Sequence, residues 1–245
     1  LALSHERPSS RAWRPELREF GKGLAASLPI RWAEGIADYA VMRSRPDLLP
    51  PEYVIRERAA YFARIATLLG GPDVPLTFLE FGVYQGDSLR RWLALNRHPD
   101  SRFLGFDSFT GLPARWRSRP AGYFDCGGQV PAITDPRVSF VPGWFNQTLP
   151  GTLTTLPPPS PARKLLVHID ADLHASALYC LVTLGAAFGS FLVMFDEYGA
   201  GEARALRDTL DAWGGSFVPM LGLKRSAASA LPTRVFGLFT LAAGA

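Results

Sequence analysis

Residues 164–198 read KLLVHIDADLHASALYCLVTLGAAFGSFLVMFDEY. Two short apolar runs, KLLVHI and FLVMF, each end in carboxylates: Asp170 and Asp172 after the first, Asp196 and Glu197 after the second. Between them, 177–195 carries no charge over 19 residues, near the ~20 that a bilayer span needs. Gly185, Gly189 and Ser190 interrupt that run, and its second half is rich in β-formers. The reading is a buried helix, a turn at FGS and a buried strand. A parallel sheet covered on both faces produces such runs, and no membrane segment is expected.

Outward from this stretch the same texture continues. LTFLEFGV, RFLGFD, RVSFVPG, KLLVHID and FLVMFDEYG read as strands, with helices over 88–96, 175–188 and 202–213 between them. Strands alternating with helices predict an α/β fold with a mostly parallel sheet. The last two strands, SFVPML and TRVFGLFTLA, have no helix between them and are expected as an antiparallel pair. Upstream, PELREFGKGLAASL, RWAEGIADYAVMRS and EYVIRERAAYFARIATLL have helical apolar spacing. The expected organisation is a helical extension or lid over 1–70 and a ligand-binding domain over 71–245.

Composition bounds the function. With 245 residues, 47% of them hydrophobic and 20% charged, the chain suits one α/β domain with an appendage and needs no disulfide or metal staple to bury a core. Two cysteines make no disulfide framework, and LALSHERPSSRAWRPELREF has no apolar core of signal-peptide length. The expectation is a cytoplasmic protein. The net charge of +4 comes from scattered arginines, a solvated basic surface or an attraction for anionic ligands. Without an arginine-rich tract interleaved with aromatics, no nucleic-acid partner is expected.

Ligands of open α/β sheets bind beyond the carboxyl ends of the strands. The first such end is LEFGVYQGDS, 79–88. Gly82 and Gly86 flank a strand-to-helix turn that lets backbone approach a ligand. The new helix offers free N–H groups to a carboxylate or phosphate, and Glu80 can accept from an ammonium. The G-x-x-x-G spacing is neither the dinucleotide fingerprint nor a P-loop, and alone it equally describes a tight turn. The second end is GFDSF, with Asp107 placed to bind the hydroxyls of a ribose or to cap the following segment. A ribose and an ammonium-bearing carboxylate together fit S-adenosylmethionine.

FLEFGVYQGDSL, FLGFDSFTGLP, VPGWFNQTLP, HIDADLH and FDEYG, in this order over roughly residues 75 to 215, resemble the successive motifs of the class I S-adenosylmethionine-dependent methyltransferases. The branch most similar holds the macrocin O-methyltransferase type of sugar methyltransferases. The resemblance implies a Rossmann-like sheet of about seven strands with a reversed last strand. It implies that Glu80, Gly82, Gly86 and Ser88 surround the methionine part, with Tyr84 also among the cofactor contacts. Asp107 and Ser108 then hold the ribose, and Trp144 lies near the adenine. It also implies that Asp170, Asp196 and Glu197 bind a divalent metal, Mg²⁺ above all, although the related sugar enzymes more often have Asp-Asp where this chain has Asp196-Glu197.

A metal there has a physical rationale. Neighbouring strands lie ~4.8 Å apart, so acids at their ends repel unless something positive joins them. Mg²⁺ prefers such oxygen ligands and would lower the pKa of an acceptor hydroxyl, which makes Asp170 a catalytic residue. His174, just beyond the strand, is the candidate general base, since imidazole titrates near neutrality; a helix-capping histidine is the plain alternative. Asp172 serves the site or caps the next helix, His168 is a packed strand residue, and Tyr198 lines the acceptor pocket or the core. The loop from Asp107 to Asp135, with Trp116, Tyr123 and Phe124, is too long for a simple connection and is expected to wall the pocket.

The expected function is O-methylation of a hydroxyl on a sugar or other polyhydroxylated small molecule, as in natural-product or polysaccharide biosynthesis. The alternatives are a catechol-type aromatic O-methyltransferase and a non-catalytic cofactor-binding interaction module. The N-terminal helices either close over the acceptor pocket or pack on a second copy as a homodimer.

Overall fold

A computed structural model describes residues 30–242. After helix α1 (Ile30–Ser44) and a 3₁₀ turn (Pro46–Leu48), a short strand β1 (Tyr53–Ile55) leads into α2 (Arg58–Leu68). The alternating part follows: β2 (Leu76–Phe81), α3 (Asp87–Leu95), β3 (Arg102–Asp107), β4 (Val138–Pro142), α4 (Phe145–Leu153), β5 (Lys164–Ile169), α5 (His174–Phe188), β6 (Ser190–Phe195) and α6 (Ala203–Trp213). β7 (Gly215–Lys224) and β8 (Arg234–Leu241) close the chain. No helix among the described residues is long and apolar enough to cross a membrane.

All eight strands join one sheet in the order β1-β7-β8-β6-β5-β2-β3-β4. Every neighbouring pair is parallel except β6–β8 and β7–β8. The reversed strand is therefore the last in sequence, as expected, and it sits inside the sheet. The 177–195 run is a helix and a strand meeting at Gly189, the strand buried as expected and the helix buried on one face only, through Ala177, Cys180, Leu181, Leu184 and Gly185. One expectation needs correcting. The helix read through 52–69 starts only at Arg58, and Tyr53–Ile55 is an eighth strand paired parallel to β7. Val54 and Ile55 are β-branched and favour extended backbone, and Arg56, at φ +62°, breaks any continuation into the helix.

Strand alternation divides the core into two layers. Leu79, Phe81, Val167, Ile169, Val193 and Phe195 face α5 and α6. Phe78, Leu166, Met194 and Phe236 face α2 and α3, against Tyr61, Phe62, Ile65 and Trp92. On that second face the apolar row ends one step before the carboxyl edge, where Glu80, His168, Asp196 and Arg234 replace it. Each lies two residues from its apolar counterpart, so the pleat carries all four side chains to the same side. α1 packs on α6 and the turn before it, burying Val41 and Met42.

Candidate functional site

Strand order reverses between β2 and β5: β3 and β4 lie on one side of β2, and β5 and β6 on the other. Ligand crevices in open α/β sheets open at such a point. Here a cavity of about 630 Å³ lies beyond the strand ends, lined by Gly82–Gln85, Ser88, Asp107, Ser108, Trp144 and Asp170–Asp172 among others. Its size is that of a small-molecule or cofactor site.

The cofactor half of the cavity is built from backbone. Gly82 has φ +98°, and a Cβ there would run into the Asp170 carbonyl oxygen. Only glycine lets β2 pass so close to β5. The turn then presents the Val83 and Tyr84 N–H groups to Asp107 Oδ2, both at 2.8 Å, and Phe109 N–H donates to Oδ1 at 2.8 Å. A carboxylate offers about four acceptor sites, so one remains for a ligand hydroxyl, where the sequence reading expected two. Gly86, in the left-handed region, caps α3. Ser88 lines the cavity and accepts from Arg58 Nη2 at 3.0 Å. The Ser108 hydroxyl is spent on its own turn, donating to Gly111 O and accepting from Thr110 N–H. Trp144 precedes α4, is 37% exposed and presents its indole to the cavity. From the long loop, Leu112, Pro113 and Phe124 reach the cavity, and Phe124 packs edge-on to Tyr84 at 5.2 Å. Trp116 and Tyr123 instead surround the Arg119 guanidinium, at 4.7 and 5.0 Å.

The acidic half is built from side chains. Glu80 does not line the cavity; it is buried beneath it, with Oε1 2.9 Å from His168 Nδ1. The other His168 nitrogen faces Asp196 Oδ1 at 3.6 Å. Burial alone would pull this imidazole down, but the Asp196 and Glu80 carboxylates on either side outweigh it and raise its pKa to about 9. His168 is thus packed, as expected, and also an imidazolium bridging two acids. Asp196 is gripped by Arg234, whose Nε and Nη2 donate to its two oxygens at 2.6 Å each, and by Arg58 Nη2 at 3.3 Å. Despite burial, His168 and Arg234 hold its pKa well below the usual carboxylate range. Glu197 stands 4.0 Å from Arg117, and its N–H donates to Glu202, a fully buried glutamate that sequence reading did not single out.

The expected ligand set of Asp170, Asp196 and Glu197 does not gather on a cation. Asp196 and Glu197 do not line the cavity, and Asp196 already has a guanidinium on each oxygen. Among the described residues, the ligand atoms within metal-binding spacing belong to Glu80, His168 and Asp170. That set offers an imidazole where Mg²⁺ prefers oxygen, and its Nδ1 is already 2.9 Å from Glu80 Oε1. These residues do not fit Mg²⁺.

Besides Asp87 and Asp107, two acids just past β5 line the cavity. The carboxyls of Asp170 and Asp172 are both raised, first by burial and then by neighbouring acids, and Asp172 reaches about 7. Asp172 has φ +59°, an uncommon conformation that aspartate tolerates better than most residues. His174 is not brought to the cavity. It opens α5 and pairs through Nε2 with Asp208 on α6 at 2.9 Å. Tyr198 is core, its hydroxyl donating to Leu48 O at 2.9 Å.

No protein-family model matches the chain. It is 29% identical over 154 residues to the 8-demethyl-8-(2,3-dimethoxy-alpha-L-rhamnosyl)-tetracenomycin-C 4'-O-methyltransferase of Streptomyces olivaceus, a match covering 54% of this chain and 56% of that one. The chain thus spans about half the length of this curated relative. Among solved structures it is similar to the O-methyltransferase NovP, at 20% identity and TM-score 0.49 over 75% of this chain and 79% of that one. It is also similar to an O-methyltransferase from Bacillus cereus in complex with SAH, at 12% identity and TM-score 0.47 over 92% and 97%.

Proposed function

We propose that this chain is an S-adenosylmethionine-dependent O-methyltransferase acting on a hydroxyl of a sugar or other polyhydroxylated small molecule. The observation that carries the reading is the Asp107 carboxylate, fixed by three backbone N–H groups at the mouth of the Gly82 turn, in a cavity at the reversal of strand order. That constellation suits a ribose-bearing ligand. The similarity to a sugar-directed O-methyltransferase supports the acceptor class.

When bound, S-adenosylmethionine supplies a methyl group already activated on a sulfonium. What the chain must add is position and a destination for one proton. Asp107 and the Val83–Tyr84 turn hold the ribose end, with Trp144 as a flat apolar wall. The free N–H groups at the start of α3 face the amino-acid end. Asp172 accepts the acceptor hydroxyl's proton on a carboxylate oxygen as the oxygen attacks the methyl carbon. The sulfonium sulfur would keep the electron pair of the carbon–sulfur bond as the methyl group leaves. A carboxyl near pH 7 is well matched to that task. Phe124 and Leu112 from the long loop exclude water.

Calorimetry with S-adenosylhomocysteine, and labelled methyl transfer to a panel of nucleotide-linked sugars and catechols, test the reading. Expected are binding of the nucleoside and transfer to a sugar hydroxyl. Asp172→Asn should lower turnover by about 10²–10⁴ with S-adenosylhomocysteine affinity retained. Transfer to catechols alone would replace the acceptor class, and absence of nucleoside binding would remove the reading altogether.

A further inference from the structure

We infer that Arg234 and Arg58 occupy the electrostatic role of a divalent metal at this sheet edge, so that the site assembles without metal. The inference rests on the methyltransferase reading, since it concerns how that site is charged. Asp196 is the acid that sequence reasoning would give to a cation at the end of β6. Its Oδ1 takes Arg234 Nε at 2.6 Å and Arg58 Nη2 at 3.3 Å, with His168 Nε2 at 3.6 Å, and its Oδ2 takes Arg234 Nη2 at 2.6 Å. A planar guanidinium fork matches a carboxylate in this way and leaves little lone-pair direction free. An ion reaching Asp196 would have to displace Arg58, which lines the cavity, and then sit against the Arg234 guanidinium. Like charges at such distances repel strongly in a poorly solvated site.

The rest of the edge is matched in the same currency of side chains. Glu80 and Asp196 share the His168 ring between them, and Glu197 faces Arg117. Of the expected ligands, only Asp170 presents an unclaimed carboxylate to the cavity. Asp172 lines the cavity beside it but joins no group of three ligand atoms among the described residues, and Mg²⁺, which dehydrates reluctantly, relies on several such anionic ligands. Arg58 is then the fixed positive charge of the cavity wall, held by Asp196 below and Ser88 beside it.

The test uses Mn²⁺ as the probe, read by its electron paramagnetic resonance signal, with the intact chain loaded with S-adenosylhomocysteine. Expected is a free-ion spectrum at millimolar Mn²⁺ for the natural sequence. Arg234→Gln, which frees Asp196 Oδ2 and leaves Oδ1 with Arg58 and His168 alone, should bind Mn²⁺ tighter by about tenfold or more. Stoichiometric submillimolar binding by the natural sequence would overturn the inference. So would a folded Arg234→Gln protein with no gain, since Arg234 would then not be what keeps the ion out. If Arg234→Gln does not fold, Arg58→Gln, which removes one guanidinium from Oδ1, is read the same way. S-adenosylhomocysteine binding is measured alongside: its loss in the natural sequence counts against the methyltransferase reading, while Mn²⁺ binding with the nucleoside bound counts against this one alone.

Discussion

Asp107 and Asp196 stand in equivalent places, at or just past the carboxyl ends of β3 and β6, and each is surrounded by donors. The donors have different origins. Asp107 is met by peptide N–H groups of Val83, Tyr84 and Phe109. Asp196 is met by side chains of Arg234, Arg58 and His168. A carboxylate held by backbone depends on a local fold of the chain, and no side-chain substitution removes its donors. One held by side chains depends on residues 38 and 138 positions away, any of which a single substitution deletes. The two halves of the cavity should therefore fail in different ways.

The largest effect is expected on the side-chain half. Arg234→Ala strips the bidentate partner from a buried carboxylate, and breaking such a pair costs about 3–5 kcal/mol. Urea unfolding should show it as a lower midpoint with an unchanged slope. A loss below about 1 kcal/mol, typical of an exposed ion pair, would show that the Asp196 cluster is wet and the contrast false.

The same half should carry a pH signature. His168 is raised in the folded protein, from the ordinary 6.5 to about 9. The unfolded chain therefore releases this proton first. The stabilisation is fully present below about pH 6.5 and is lost as pH rises through about 9, up to about 3 kcal/mol in all. Stability measured over pH 6 to 10 should fall with this slope, and His168→Gln should flatten it. An unchanged profile in the variant would assign the slope to another group.

Asp107→Ala sharpens the other side. It leaves three unpaired peptide donors beside the cavity rather than an unpaired buried charge, so the fold should tolerate it. Affinity for S-adenosylhomocysteine should drop by about 1.5–3 kcal/mol, the value of a hydrogen bond to a charged group. Calorimetry reads this directly, and unchanged affinity in a folded variant would take Asp107 out of the ligand contacts. The smallest expected effect is at Trp144, a half-open wall: Trp144→Ala should weaken the same binding by about 1 kcal/mol, leaving thermal stability within error. An effect equal to that of Asp107→Ala would mean the indole is enclosed on ligand binding.

The contrast also explains what could be read before the structure. The glycine turn, Asp107 and the succession of strands along the chain are legible because their partners lie within a few residues or follow from strand alternation. The acids at the ends of β5 and β6 were equally visible, and their mutual repulsion was a sound argument for a nearby cation. The identity of that cation was not legible, because Arg58 and Arg234 are unremarkable among scattered arginines until α2 and β8 bring them to one edge. A row of i, i+2 positions, Phe78 with Glu80, Leu166 with His168, Met194 with Asp196 and Phe236 with Arg234, did hold the signal that these four polar residues share a face. β1 was missed because three residues are too few to show a period, and His174 was misplaced because Asp208 on α6 claims its ring.

The position of β8 has a bearing on how the molecule is made. Of the described strands it is the last in sequence, yet it is wedged between β6 and β7, and β1 reaches the sheet only through β7. Until Arg234–Leu241 emerges, nascent β6 shows a bare FLVMF edge to its surroundings. Such an edge is a template for pairing with another chain, and chaperones shelter surfaces of this kind during synthesis. Insertion of β8 then seals the edge, ties β7 and with it β1 to the sheet, and delivers Arg234 to Asp196. Completion of the described sheet and neutralisation of its buried acid are then one event.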